Sequence, residues 1–418
     1  MIDYIKCECT KYAVPEEDSE PPISVSAHAQ NTLVAVVKNK RYVHVSKITG
    51  GKLAPCKAIF LGNRHKIVAL EWSSQNDLLV LTIDMKCVIY KKGKNERWET
   101  TNVGITAEEL LPTCACWHPH AHSFAIGFSS GVIFICSKGE DTKWKIEKLA
   151  NHSGSVLFLQ WSYSGHILCS CSMDSSAQLV CTSGALRTLD EGIPDEGRTR
   201  FICLYTTMGT LPSIDELIED RDLKRNDVIG KIECEGHVIL HSSFSPSSKR
   251  VAVIASSFDD NRENQQIIIC DYLKSAPNTQ FVAWVGQTMQ KCLFLDEDTL
   301  LVYGYEVFPI LVECLSGEWT LSKVVLPQFS IKNLSIDFFY DKKGIQDIED
   351  QCQHMSGNEI IGEIVAHSNN ILQMCLLEPR EVNEAKKSRK NHKEYKNVGT
   401  FFRAYLILCV DICDIRVD

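Results

Sequence analysis

No run of this chain approaches the roughly 18 consecutive apolar residues that a membrane-spanning helix needs. The N-terminus lacks a basic segment followed by an apolar one, so no secretory signal is expected and the chain reads as soluble and intracellular. There is no Cys-x-x-Cys pair, and Cys409 and Cys413 are too far apart for a zinc knuckle. There is no Gly-x-x-x-x-Gly-Lys-Ser/Thr, and Gly50-Gly51-Lys52 follows a strand pattern with no helix pattern after it. Nothing reads as a Gly-x-Ser-x-Gly nucleophile elbow. Positive charge is also short: 44 Lys and Arg stand against 53 Asp and Glu, a net charge of −9. That balance gives no general pull toward nucleic acid or an anionic membrane. No enzyme activity and no cofactor is expected.

What the chain does have is a repeated unit. Residues 151–180 read NHSGSVLFLQWSYSGHILCSCSMDSSAQLV. Leu157, Leu159 and Trp161 alternate with Val156, Phe158 and Gln160, the period of a strand. A turn follows, then a second strand over 167–172, a turn at Met173-Asp174-Ser175, and a third strand over 177–180. Three strands with tight turns cannot bury both faces alone and need copies beside them. Copies stand at 65–90, with Trp72 and Asp84 in place of Trp161 and Asp174, at 113–136, and at 236–271. Weaker ones begin at Ile23, Gln290 and His367. About seven units of roughly 40 residues is the spacing of WD-repeat propeller blades. The expected fold is all-β, a seven-bladed WD-repeat β-propeller. The 19 cysteines, many at alternate strand positions such as Cys114/Cys116 and Cys169/Cys171, read as buried reduced thiols.

One closed domain then accounts for most of the chain. Residues 1–22 are expected to form an N-terminal strand, over 4–10, and an acidic linker; residues 23–418 form the propeller. The strand is placed in the blade made by the other terminus, so that the ring closes without a free edge. Three stretches interrupt the pattern: a long connection at 182–234, a protruding insertion at 327–364 and a charged loop at 378–399 in the last blade. In the insertion Leu334, Phe338, Ile345 and Ile348 fall at helical spacing, flanked by Phe339 and Tyr340, which predicts a short helix before the last blade. An amphipathic segment on a rigid ring has no core of its own, so its stripe packs back on the propeller or meets a partner.

His152, Ser170 and Asp174 resemble a catalytic triad in composition, and His237 with Asp259 repeats the His–Asp separation. Recurrence across blades points instead to structure, because an enzyme needs one triad rather than several. His118, His120 and His122 are close enough to attract zinc, but they occupy a blade turn. Lys386, Lys387, Arg389 and Lys390 make a basic run that reads either as a solvated loop or as an electrostatic contact for an acidic surface.

Leu70-Glu71-Trp72-Ser73, Cys116-Trp117-His118-Pro119, Glu235-Gly236-His237-Val238, Phe244-Ser245-Pro246, Phe308-Pro309-Ile310-Leu311 and His367-Ser368-Asn369-Asn370-Ile371 occur in this order along the chain. In these stretches, and in the insertion before the last blade, the chain resembles the WD-repeat subunit (subunit 1) of the actin-related protein 2/3 complex. The resemblance implies a non-catalytic scaffold in a seven-member assembly that nucleates branched actin filaments in the cytoplasm. It further implies contacts with the other subunits, with the actin filament and with the nucleation-promoting factor. The alternative is a general propeller adaptor in a coat, nuclear-pore or ubiquitin-ligase assembly.

Overall fold

The computed structural model describes residues 3–9, 24–27, 33–38, 42–49, 52–60, 66–93, 97–105, 110–139, 143–149, 152–182, 228–257, 265–272, 278–284, 288–304, 309–329, 373–376, 403–407 and 412–416. Every regular element among them is a strand.

The strands assemble as seven blades. Five are separate four-stranded antiparallel sheets: β2 to β5 (Ser24–Ala27, Leu33–Lys38, Tyr42–Thr49, Lys52–Phe60), β6 to β9 (Ile67–Trp72, Asp77–Thr82, Cys87–Lys92, Trp98–Asn102), β10 to β13 (Pro112–Trp117, Ser123–Phe128, Ile133–Lys138, Trp144–Leu149), β14 to β17 (Val156–Trp161, Ile167–Ser172, Ser176–Cys181, Val228–Glu233) and β18 to β21 (His237–Phe244, Val251–Ser257, Gln265–Asp271, Asn278–Trp284). The sixth comprises β22 to β25 (Met289–Phe294, Thr299–Gly304, Ile310–Leu315, Glu318–Phe329), and the seventh β26 to β28 (Gln373–Leu376, Arg403–Ile407, Ile412–Arg416). The first strand of each blade lies against the first strand of the next, and β26 returns to β2, so these seven inner strands close a ring around a lumen.

The last two blades are joined by β1 (Asp3–Cys9) into one eight-stranded sheet. It runs parallel to β25 from Asp3 opposite Lys323 to Cys9 opposite Phe329, and antiparallel to β28 through Glu8 opposite Arg416. The expected strand therefore reaches the last blade, and it also pairs with the sixth. The first residues of the expected insertion, Pro327, Gln328 and Phe329, continue β25 as partners of β1. The remainder of 330–364, with its expected helix, lies outside the described residues, as does the whole of the charged loop at 378–399. At the end of the expected long connection, Val228–Glu233 forms β17, the outer strand of the fourth blade.

Burial follows position within a blade. The second strands β11 and β15 are buried at every residue, whereas only Trp98 of β9 is even partly covered. Both faces of a second strand pack, one against each neighbouring blade. Leu78 and Val80 of β7 join Val43 and Val45 of the first blade, while Leu79 and Leu81 join Phe124 and Ile126 of the third. These strands consequently read as continuous apolar runs rather than as alternating ones.

Two features recur at fixed places in the repeat. A register shift interrupts the pairing of β6, β10, β14, β18 and β22 with their second strands near the start of each inner strand. The turns after those inner strands bond one blade to the next: Ser74 Oγ donates to Pro119 O (2.6 Å), the Tyr163 amide to Ser248 Oγ (3.0 Å) and Ser247 Oγ to Glu297 Oε2 (2.9 Å). Contrary to expectation the Gly-x-Ser-x-Gly spelling does occur, at Gly127-Phe128-Ser129-Ser130-Gly131. It is the turn between β11 and β12, with strands on both sides and no elbow helix.

Candidate functional site

His152 sits at the start of the fourth blade and reaches across it. Its Nδ1 lies 2.9 Å from Asp174 Oδ2 and its Nε2 lies 2.8 Å from Ser170 Oγ. A carboxylate only accepts, so Nδ1 carries the proton and Nε2 accepts from the Ser170 hydroxyl. Asp174 also takes the Ser153 amide at 3.0 Å on Oδ2, and the amide and hydroxyl of Ser176 at 3.1 and 2.7 Å on Oδ1. Burial pushes the His152 imidazolium down, and Asp174 offsets this only in part. For Asp174 burial acts upward, but the bonds from Ser176 and His152 outweigh it and hold the carboxyl below its ordinary range. The pair is a neutral imidazole donating to a carboxylate.

This arrangement has triad distances without triad access. Ser170 is 1% exposed and His152 4%, so a substrate carbonyl has no path to the hydroxyl. The set instead ties the turn at Asp174 to the loop at His152. Gly131 (φ +83°) of the preceding blade presses on that loop: a Cβ there would stand 2.1 Å from His152 O. His237 Nδ1 bonds the Glu235 carbonyl at 3.0 Å, and Asp259 lies outside the described residues.

Contacts between blades were not apparent from the sequence. The indole nitrogen of Trp72 donates to Ser26 O (3.2 Å) and that of Trp117 to Glu71 O (3.1 Å), each reaching the inner strand of the preceding blade. Trp72, Trp117 and Trp161 all end inner strands, and that repeat was the available signal. In the fifth blade Arg250 bonds Asp271 within its own sheet (2.5 Å). It also donates to Glu297 O and lies over the Trp319 ring at 5.3 Å, clamping the fifth blade to the sixth.

Among the three clustered histidines, both His118 nitrogens are engaged. Nδ1 accepts the His120 amide (3.2 Å), which leaves Nε2 to donate to Gly165 O (3.1 Å). Burial, with the neighbouring histidines, holds this ring neutral, and neither nitrogen offers a lone pair to a metal. Among the described residues no group of three or more His, Cys, Asp or Glu has a metal-holding arrangement. Most thiols of described residues are buried, as at Cys169 and Cys171, and burial pushes Cys114 and Cys136 up to about 12, the range of unreactive thiols. Leu334, Phe338, Phe339, Tyr340, Ile345, Ile348, Lys386, Lys387, Arg389 and Lys390 all lie outside the described residues. What the described part offers is a framework of blades fastened to one another by side-chain bonds.

No family model matches the chain. It is 21% identical over 310 residues to actin-related protein 2/3 complex subunit 1A of Arabidopsis thaliana, covering 72% of this chain and 73% of that protein. Subunit 1B of the same plant gives the same figures. A stretch of 120 residues, 28% of this chain, is 26% identical to WD repeat-containing protein dyf-2 of Caenorhabditis elegans and covers 8% of it. The similarity is to the same WD-repeat subunit that the residue motifs indicated.

Proposed function

We propose that this chain is a non-catalytic scaffold subunit of an actin-related protein 2/3 complex, supporting nucleation of branched actin filaments through protein–protein contacts. The observation that carries this reading is the similarity to subunits 1A and 1B over 72% of the chain, on a propeller whose ring closes. Its partners are then the other subunits, the actin filament and the nucleation-promoting factor, in the cytoplasm and at the actin cytoskeleton. The dyf-2 similarity keeps a second reading in view, a propeller adaptor of a different assembly. Capture of the tagged full-length chain distinguishes them. Actin-related proteins in stoichiometric amounts are expected, and their absence beside another defined set of subunits overturns the proposal.

In this reading residues 23–418 are one propeller and the 327–364 insertion is an interaction arm, with Phe338 and Phe339 as its anchors. Aromatic anchors often dominate interface energy, and truncating one costs roughly 2 kcal/mol or more at a hot spot. The Phe338→Ala, Phe339→Ala double variant is therefore expected to melt like the parent and enter its complex, yet support less branching. A large drop in melting temperature would assign the stripe to the core, and undiminished branching would remove the arm's role.

The basic run Lys386, Lys387, Arg389 and Lys390 contributes through charge at long range. Reversing its charges is expected to weaken assembly or actin binding at low salt and to matter little at high salt. A loss equal at both ionic strengths would mean a specific site.

A further inference from the structure

The turns that follow the inner strands carry a relay of bonds from blade to blade. Ser74 of the second blade bonds Pro119 of the third, Tyr163 of the fourth bonds Ser248 of the fifth, and Ser247 of the fifth bonds Glu297 of the sixth. The step from the third blade to the fourth is made by an imidazole: His118 Nε2 donates to Gly165 O at 3.1 Å. His118 directly follows β10, and Gly165 stands in the turn between β14 and β15. The fit is close. Gly165 has a φ of +79°, and a Cβ on it would stand 2.2 Å from His118 Nε2, so the ring fills the space that another residue's side chain would need. Trp161 of the fourth blade meets the ring edge to face, with centroids 4.7 Å apart, and the His122 and His120 rings stand at 4.3 and 5.3 Å. His118 itself is 1% exposed.

We propose that His118 is a proton-operated latch between the third and fourth blades, closed while its imidazole is neutral and opened when the ring takes a proton. Nε2 already carries a proton, so a second enters at Nδ1. That nitrogen accepts the His120 amide at 3.2 Å, and once protonated it would set donor against donor. The charge would also sit among imidazoles: His120 and His122 on its own turn and His166 on the turn of the fourth blade each disfavour it. The bond to Gly165 favours the charged ring, but burial outweighs it and holds His118 well below its ordinary range. A protonated ring therefore gains by moving into water, and the Gly165 bond goes with it. The carbonyl left behind keeps the Thr182 hydroxyl at 3.0 Å, so the open state has no unsatisfied acceptor at Gly165.

The direction of the effect follows from linkage. Below the ordinary value of 6.5 the unfolded chain takes a proton on His118 that the closed, folded chain does not hold. Stability from this group is therefore full above 6.5 and falls as pH drops below it. Opening two adjoining turns exposes far less than unfolding the ring, so acid acts on the latch before it acts on the propeller. The latch rests on the fold alone and stands whichever assembly the chain serves.

The test pairs chemical denaturation with hydrogen exchange of the full-length chain from about pH 7.5 to 5.5, for the wild type and His118→Gln. Glutamine keeps a donor for Gly165 and does not titrate. His152 shifts in the same direction but is present in both proteins, so the ratio of their unfolding constants isolates His118. That ratio should rise about tenfold over these two pH units, as one proton taken at 6.5 by the unfolded chain alone requires. A flat ratio overturns the proposal. In the wild type the segments 118–122 and 162–166 should lose protection together as pH falls, each corrected for its intrinsic exchange rate, while β15 and β19 stay protected. In His118→Gln both segments should hold their protection. A loss spread evenly through the strands would show global unfolding without a latch, and turns that stay protected at pH 5.5 would show that the ring remains in place; either result overturns it. If His118→Gln fails to fold, the exchange pattern of the wild type decides the matter.

Discussion

Deleting residues 1–12 is expected to convert this chain from a monodisperse propeller into a destabilised, self-associating one. The deletion removes β1, whose register with β25 runs over seven residue pairs and which also meets β28. With a net contribution of about 1 kcal/mol per backbone hydrogen bond, the lost ladder amounts to several kcal/mol. Two edges also become free at once, that of β25 and that of β28, and an unpaired edge is a template for another chain. Size-exclusion chromatography and thermal melting of the truncated chain check this. Adding a peptide of residues 1–12 in excess should restore part of the lost stability, as binding to the folded state alone requires. A truncated chain that stays monodisperse and melts like the parent would show that the sixth and seventh blades hold without β1.

His152→Ala is expected to cost about 3 kcal/mol, the upper part of the range for a buried donor or acceptor left without its partner. Two partners lose their bond together. Ser170, buried in the second strand, loses the acceptor at 2.8 Å, and Asp174 loses one of its donors, at 2.9 Å, while remaining charged. The variant should also respond differently to acid. In the wild type the folded imidazole is held below 6.5, so the unfolded chain binds more protons and stability falls as pH drops below that value. The Asp174 carboxyl, held below 3.8, extends the loss to lower pH. His152→Ala lacks the first of these losses, so its curve should be flatter between neutrality and about pH 5. Chemical denaturation of the two proteins at several pH values gives both quantities. A stability loss below about 0.5 kcal/mol would mean that the pair does not hold the blade.

Most of the blade architecture was legible in the sequence because it is written locally. Alternation over 156–161, the turn residues Met173-Asp174-Ser175 and the return of Trp and Asp at matching places all lie within one repeat. The bond between His152 and Asp174 also closes within a single blade, so the recurring spacing was enough to bring these two residues together. β17 escaped notice for a physical reason. It is an outer strand with Ile232 as its one buried residue, so its sequence carries almost no apolar period and resembled the connection before it.

Only tertiary structure decided what closes and fastens the ring. A period-2 pattern fixes which side chains share a face but not which strands lie beside them. Residues 4–10 therefore marked an edge strand, while its parallel partner over Lys323–Phe329 followed from the blades completing the circle. Likewise the Trp117 indole finds its acceptor on Glu71 only because packing sets the inner strand of one blade beside that of the next. The repeat determined the blade by itself; the ring, and every contact from one blade to another, came from the geometry of packing the blades together.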